Sequence, residues 1–438
     1  MLLLPLILRQ LPPEQLGLWF VFGTLGGLAV LLDLGFEPTV TRMASYAWAG
    51  VQQFVPFGIK EERYEAPEQA KPNRVLLTSL LATLRAYYLA AGLLVLLLLG
   101  GGGGAWVWMK TEGLTDATQL RAAWVVYAGA CCLHFVSGRW PALLIAIGHQ
   151  RLAEQIGIVA QLAFYLIAIP ALIRGWGIWA LVGGFVVTGA VIRSAGSRAF
   201  RRRAALEAGF PRAQFHPKVF SAIWPNAWRM GLVSVGSYLI LQANTLICSA
   251  YLGLEITASY GLSLQLVGLL IGVSQIWVMV KLPQINQLRV HQKNKEILTT
   301  FVSRLRLTVL TYLGGAVAIV IVGPWALNLI GSRTPLLPPW ILIILLFIRF
   351  LEMHHSLYAM LVLSENRNPF FKPALISGAV IVALSLILTP RIGVWGLLIS
   401  TGLVQACYNN WWPIVRALRG LDANMIDLLR LFLRAAKQ

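Results

Sequence analysis

Long apolar runs separated by short polar stretches make up nearly all of this 438-residue chain. A helix needs about 20 predominantly apolar residues to cross a bilayer. Runs of that length fall at residues 15–36, 75–100, 120–148, 152–173 and 177–200, then at 219–253, 256–282, 297–323, 338–363, 370–389 and 393–414. A further run, residues 1–11, is too short to span. With it, the pattern predicts an all-α membrane protein of about 12 transmembrane helices. Residues 423–437 have a different rhythm: Met425, Leu428, Leu429, Leu431 and Phe432 are set against Arg430, Arg434 and Lys437, the signature of an amphipathic tail on the inner membrane surface. The division expected is an N-terminal helix bundle (1–200), a basic cytoplasmic linker (201–218), a C-terminal bundle (219–417) and the amphipathic tail (418–438).

Composition agrees with the pattern. Hydrophobic residues are 58% of the chain and charged residues only 12%, where soluble domains carry about 25%. Cys131, Cys132, Cys248 and Cys407 lie in apolar runs without CxxC spacing, so neither a metal site nor a disulfide framework is indicated. The net charge of +19 would suggest nucleic acid on a soluble protein. Its distribution argues otherwise. With the amino end placed inside, the inner loops hold 26 of the 36 Lys and Arg, the outer loops six, and four lie mid-span. That asymmetry predicts two cytoplasmic termini and makes Arg201-Arg202-Arg203 an orientation signal, with no nucleic-acid partner.

The chain also repeats itself. Residues 149–181 overlay 365–397 without a gap, so that Arg151 meets Arg367, Gly177 meets Gly393 and Trp179 meets Trp395. Residues 16–28 likewise overlay 260–272. Matched spans sit an even number apart, so the halves share orientation: two six-helix bundles related by a pseudo-two-fold axis along the membrane normal. Extending the second overlay puts residues 1–5 against 245–249, late in the seventh span, which predicts a truncated first helix. The extra length of the first half is expected in a polar loop at 58–73 and in Gly100–Gly104, read as a flexible exterior turn; no GK[ST] follows it to make a phosphate cradle.

Ionisable residues inside the spans carry the chemistry. Each is costly in hydrocarbon and is expected to face protein or water. Arg85 shares a face with Thr78 and Tyr88; Arg349, Glu352 and Ser356 share a stripe, with His355 close to Glu352. Arg139 superposes on His355 in the repeat, and Leu84-Arg85 on Leu305-Arg306. Arg229, Asn226, Gln242 and Asn244 interrupt the seventh run. Glu352 is the one acid near mid-span, while Asp33 and Glu37 close the second span. Buried cations in excess of acids predict an anionic ligand, and guanidinium suits phosphate because its planar fork donates paired charge-assisted bonds. His134 is read as a packing residue. A membrane glycosyltransferase is disfavoured: the outer loops at 100–119 and 323–337 offer only Glu112 and Asp116 as acids.

The opening LPPEQLGLWFVFGTLGGLAVLLDLGF, with its Leu32-Asp33-Leu34-Gly35 turn, resembles the start of Wzx-type polysaccharide flippases. SYLILQANTLICSAYLGLEITASYGLSLQL, with Gln242 and Asn244, resembles their seventh-to-eighth span junction. These motifs are shared across the MOP superfamily, which includes lipid II flippases and drug-exporting antiporters. The resemblance implies alternating access, no cofactor, no enzymatic activity, and a bacterial inner-membrane flippase carrying undecaprenyl-diphosphate-linked oligosaccharide to the periplasmic leaflet for surface polysaccharide biosynthesis. Arg85, Arg139, Arg229 and Arg349, with Arg306, Asn226, Gln242 and Asn244, are the expected substrate contacts. Glu352, His355 and Asp33 are the expected ion-coupling residues, for H⁺ or Na⁺. Membrane lipids and other polysaccharide-assembly proteins are the remaining expected partners. Asn244 departs from the acid that many relatives carry there. The alternative is a cation-coupled multidrug antiporter, which prefers an acidic pocket.

Overall fold

The computed structural model describes residues 3–54, 71–204, 215–364 and 369–434. Among them every regular element is helical. Nine helical stretches among the described residues are long and apolar enough to cross a membrane, and one of these, Ala227–Met279, holds two of the predicted runs. The chain is a multi-pass membrane protein.

Two compact units are present, one formed by Met1–Leu11 and Val21–Tyr238, the other by Pro12–Phe20 and Leu239–Gln438.

The first unit opens with α1 (Leu4–Gln10) and α2 (Pro13–Leu31), whose beginning belongs to the second unit. A turn through Leu34 (φ 49°) and Gly35 (φ 68°) leads into α3 (Phe36–Trp48). A Cβ on Gly35 would lie only 2.2 Å from the Met230 side chain, so the close approach and the left-handed backbone both require glycine there. Asp33 accepts from the Glu37 amide at 2.9 Å and so caps α3. Next come α4 (Arg74–Leu97), capped by Asn73 through the Leu76 amide, and α5 (Gly104–Lys110). Between them, Leu98–Gly103 is a π-helical segment, not the flexible turn the glycine tract suggested. The reason is Trp124: its indole donates to the Leu99 carbonyl at 3.1 Å, and a Cβ on Gly103 would lie 2.5 Å from its ring. The unit continues with α6 (Ala117–Ser137), α7 (Arg139–Ala146), α8 (Gln150–Ile173), α9 (Ile178–Arg203) and α10 (Pro217–Leu241).

The seventh apolar run is not one helix. It breaks at Gln242, and α11 (Ala243–Met279) carries the second unit onward through a non-helical Gly253 (φ 84°, ψ 175°) into the eighth run. The start of α2 lies against α11: a Cβ on Gly17 would meet the Leu254 carbonyl at 2.0 Å, and one on Gly261 the Phe20 ring at 2.4 Å. Then follow α12 (Leu282–Val290), α13 (Asn294–Leu329), α14 (Pro339–Leu363), α15 (Phe371–Ile392), α16 (Val394–Val404), a π-helical segment Gln405–Asn409, α17 (Trp411–Arg419) and α18 (Met425–Arg434). The tail helix α18 packs on α13, with Leu428 buried in the same core as Phe301 and Leu418. Arg367 and Lys437 lie outside the described residues.

Candidate functional site

Arg139 is the first residue of α7 and is only 8% exposed. Its guanidinium lies over two aromatic rings, 5.0 Å from the Trp140 centroid and 5.7 Å from that of Tyr88. Its Nη1 is buried and has no hydrogen-bond partner. The charges that bear on it are those of Arg193 and Arg201 from α9 and Arg85 from α4, all three exposed. A buried cation with an open donor and other cations near it has the chemistry that suits an anion.

Tyr88 ties this cluster to a second feature. Beneath Arg139 on one side, it donates its hydroxyl to Asp33 Oδ1 at 2.8 Å, while neighbouring Tyr87 donates to the Leu32 carbonyl at 2.7 Å. Tyr88 and Asp33 line a cavity of about 420 Å³ together with Glu37, Tyr127, Cys131 and His134. Asp33 lies two residues beyond the α2 span; burial raises its carboxyl above the ordinary range, and the bonds from Glu37, Tyr88 and Phe36 oppose that rise. Glu37 is raised as well, first by desolvation and then by the charge of Asp33. His134 stacks on Phe185 (4.1 Å between centroids), with Nε2 2.8 Å from the Phe185 carbonyl, which fits a packed residue on the cavity wall.

In the second unit Arg349 is paired with an acid, although its Nε is buried without a hydrogen-bond partner. Its Nη1 pairs with Glu352 Oε2 at 2.5 Å, and both side chains are largely buried. Glu352 thus faces Arg349 at i,i+3 and not His355. The neighbouring His354 bonds Asn410 at 2.9 Å. His355 stands beside Gln405, the first residue of the π-helical segment, and His355 Nδ1 and both amide atoms of Gln405 are buried. Asn244 is fully engaged: its amide donates to Thr401 Oγ1 at 3.0 Å and reaches the Leu397 carbonyl at 3.5 Å, while its oxygen accepts from Ser385 at 2.9 Å. Among the described residues no group of three His, Cys, Asp or Glu could hold a metal ion.

No protein-family model matches the chain, and no curated protein matches it significantly. Solved structures do. An inward-facing multidrug resistance MATE family transporter of the MOP superfamily superposes with a TM-score of 0.66 at 11% identity, over 98% of this chain and 93% of that one. Lipid II flippase MurJ, in an inward closed conformation, gives 0.60 at 12% identity over 97% and 89%. The MATE multidrug transporter DinF-BH gives 0.59 at 11% over 98% and 92%.

The chain shares the fold of these transporters.

Within that fold the predicted site residues have separate fates. Arg85 and Arg139 come together, and Arg229 lies exposed in α10 with its guanidinium 5.7 Å from the Trp228 ring. Gln242 is exposed at the α10–α11 break, Arg306 is half-buried on α13, and the Asn226 side chain is outside the described set. Arg193 and Arg201 were legible only as topology charges. Their place beside Arg139 follows from α7 packing on α9 through Gly196, where a Cβ would lie 2.9 Å from Trp140.

Proposed function

We propose that the protein is a flippase for a lipid carried on a diphosphate, with an attached saccharide as the exported part. The observation that carries this reading is Arg139, buried, donor-open and flanked by Arg85, Arg193 and Arg201. Guanidinium donors in a low-dielectric wall bind phosphoryl oxygens strongly, and the two flanking rings hold the side chain ready without neutralising it. The fold it shares with lipid II flippase MurJ supports the same reading. Arg349, whose Nη1 pairs with Glu352, is set apart from this cluster in our reading. In this reading the chain sits in a bacterial inner membrane, takes its cargo from the cytoplasmic leaflet and serves surface polysaccharide assembly. Alanine at Arg85, Arg139, Arg193 and Arg201 singly, scored by export of surface glycan, tests it. Loss of export is expected first at Arg139; full export in all four strains contradicts the proposal.

A second reading rests on a separate observation. The 420 Å³ cavity with Asp33, Glu37, Tyr88 and Tyr127 combines acids and aromatic rings, which suits an organic cation and therefore a multidrug antiporter. Efflux of a cationic dye that is abolished by Asp33→Asn, with glycan export intact, would favour it.

A further inference from the structure

At the end of the second unit away from the basic start of α13, helix ends surround a cavity of about 870 Å³. That is within the range of small-molecule sites, about 300–1,000 Å³. Its polar wall includes Glu255, Asn328, Arg333 and Thr334, and its apolar wall includes Ile256, Leu327 and Ile341. None of Arg85, Arg139, Arg193, Arg201 and Asp33 lines it.

Three features point to a ligand and to its chemistry. First, helix N-termini converge on the wall: Val394 begins α16, Glu255 lies just past the Gly253 break in α11, and α14 opens on Pro338-Pro339, which lack N–H groups, so that Trp340 and Ile341 carry its first amides. The first amides of a helix have no intrahelical acceptor and carry its positive dipole end, so they favour an anion. Second, Thr334 is 1% exposed and its hydroxyl has no hydrogen-bond partner, although its own amide donates to Ser332 Oγ at 3.2 Å. A buried hydroxyl left open is a position where a ligand acceptor or donor is wanted. Third, Arg333 and Glu255 are both exposed, line the same cavity and form no ion pair among the described residues. The cavity thus presents one cation and one anion, each unpaired, above an apolar wall.

Its depth follows from the aromatics beside it. Trp340, next to Pro339, stacks on Trp395, next to Val394, at 4.9 Å between centroids, and Trp340 is 53% exposed. Exposed Trp of this kind occupies the headgroup level of a bilayer.

We propose that this cavity is a binding site for a zwitterionic phospholipid of the ethanolamine type. The phosphate sits at the start of α14 beside Arg333, the ammonium meets Glu255, and the acyl chains run along Ile256, Leu327 and Ile341. A dipole role alone for Glu255, in the first turn after Gly253, would stabilise the helix without choosing a headgroup. Headgroup choice therefore separates the two.

The full chain, purified in detergent and stripped of lipid, is titrated with phosphatidylethanolamine and with phosphatidylglycerol of the same acyl chains, with binding read by native mass spectrometry. Wild type is expected to prefer the ethanolamine lipid by about tenfold, the worth of one charge-assisted bond. Glu255→Gln brings the two lipids to parity, and Arg333→Ala weakens both by about tenfold. Both side chains are exposed, so lipid-free melting is expected to stay as in wild type. Equal binding of the two lipids by wild type, or a preference that survives Glu255→Gln, overturns the proposal.

Discussion

Gly177 and Gly393, matched by the internal repeat, share one unusual backbone: φ 55°, ψ −133° in the first and φ 62°, ψ −138° in the second. Each stands immediately before a helix, α9 or α16, and each follows the helix that packs along it, α8 or α15. The conformation is one that L side chains rarely adopt. The repeat is therefore a property of the backbone and not of apolar composition alone.

Alanine at either glycine is expected to cost about 1–3 kcal/mol, the strain of holding a non-glycine residue there. Thermal unfolding in detergent measures it. Gly157→Ala, inside α8 with open space around its Cβ, serves as the control and is expected to be neutral or stabilising by up to about 1 kcal/mol.

Gly103→Ala is expected to destabilise by about 1–3 kcal/mol, because the added methyl meets the Trp124 ring at 2.5 Å. Gly101→Ala has open space and is expected to leave the melting temperature unchanged or higher. Equal effects at both positions would mean that Trp124 does not hold the π-helical segment.

The Arg349–Glu352 pair is expected to behave as a buried ion pair. Removing one partner (Glu352→Gln or Arg349→Met) leaves an uncompensated charge or donor and costs about 3–5 kcal/mol; replacing both costs less than either alone. A double-mutant cycle on unfolding free energy checks the coupling.

The all-helical, multi-pass character was legible in the sequence, because run length reports directly on bilayer thickness. Gly177 and Gly393 stand in register in the sequence itself. What escaped depended on contacts between distant segments. The glycine tract reads as a turn until Trp124, some 20 residues on, holds it in a helix. Glu352 has both Arg349 and His355 at three residues' spacing, and periodicity alone does not choose between them. Asn244 reads as a polar intrusion until Ser385 and Thr401 close on it. Arg193 and Arg201 are seen to lie near Arg139 only when α7 is placed against α9.

Asp33 makes a pH prediction. Its carboxyl is raised by burial above the ordinary 3.8, so the folded state holds this proton more tightly than the unfolded chain does. Its contribution to stability is therefore greatest at acidic pH and is lost as pH rises from about 4 through the raised value. Asp33→Asn removes the term. The difference in melting temperature between wild type and variant should favour wild type most at the acid end and shrink toward neutral pH. A difference independent of pH would contradict the assignment.

Arg139 is the residue we propose to receive the diphosphate. The most direct test of this is the affinity of purified wild-type and Arg139→Ala protein for a polyprenyl-diphosphate saccharide, with the polyprenyl alcohol as reference. Wild type is expected to bind the diphosphate far more tightly than the alcohol, and Arg139→Ala to lose about 10–100-fold of that affinity while binding the alcohol as before. Diphosphate affinity unchanged by Arg139→Ala would contradict the account.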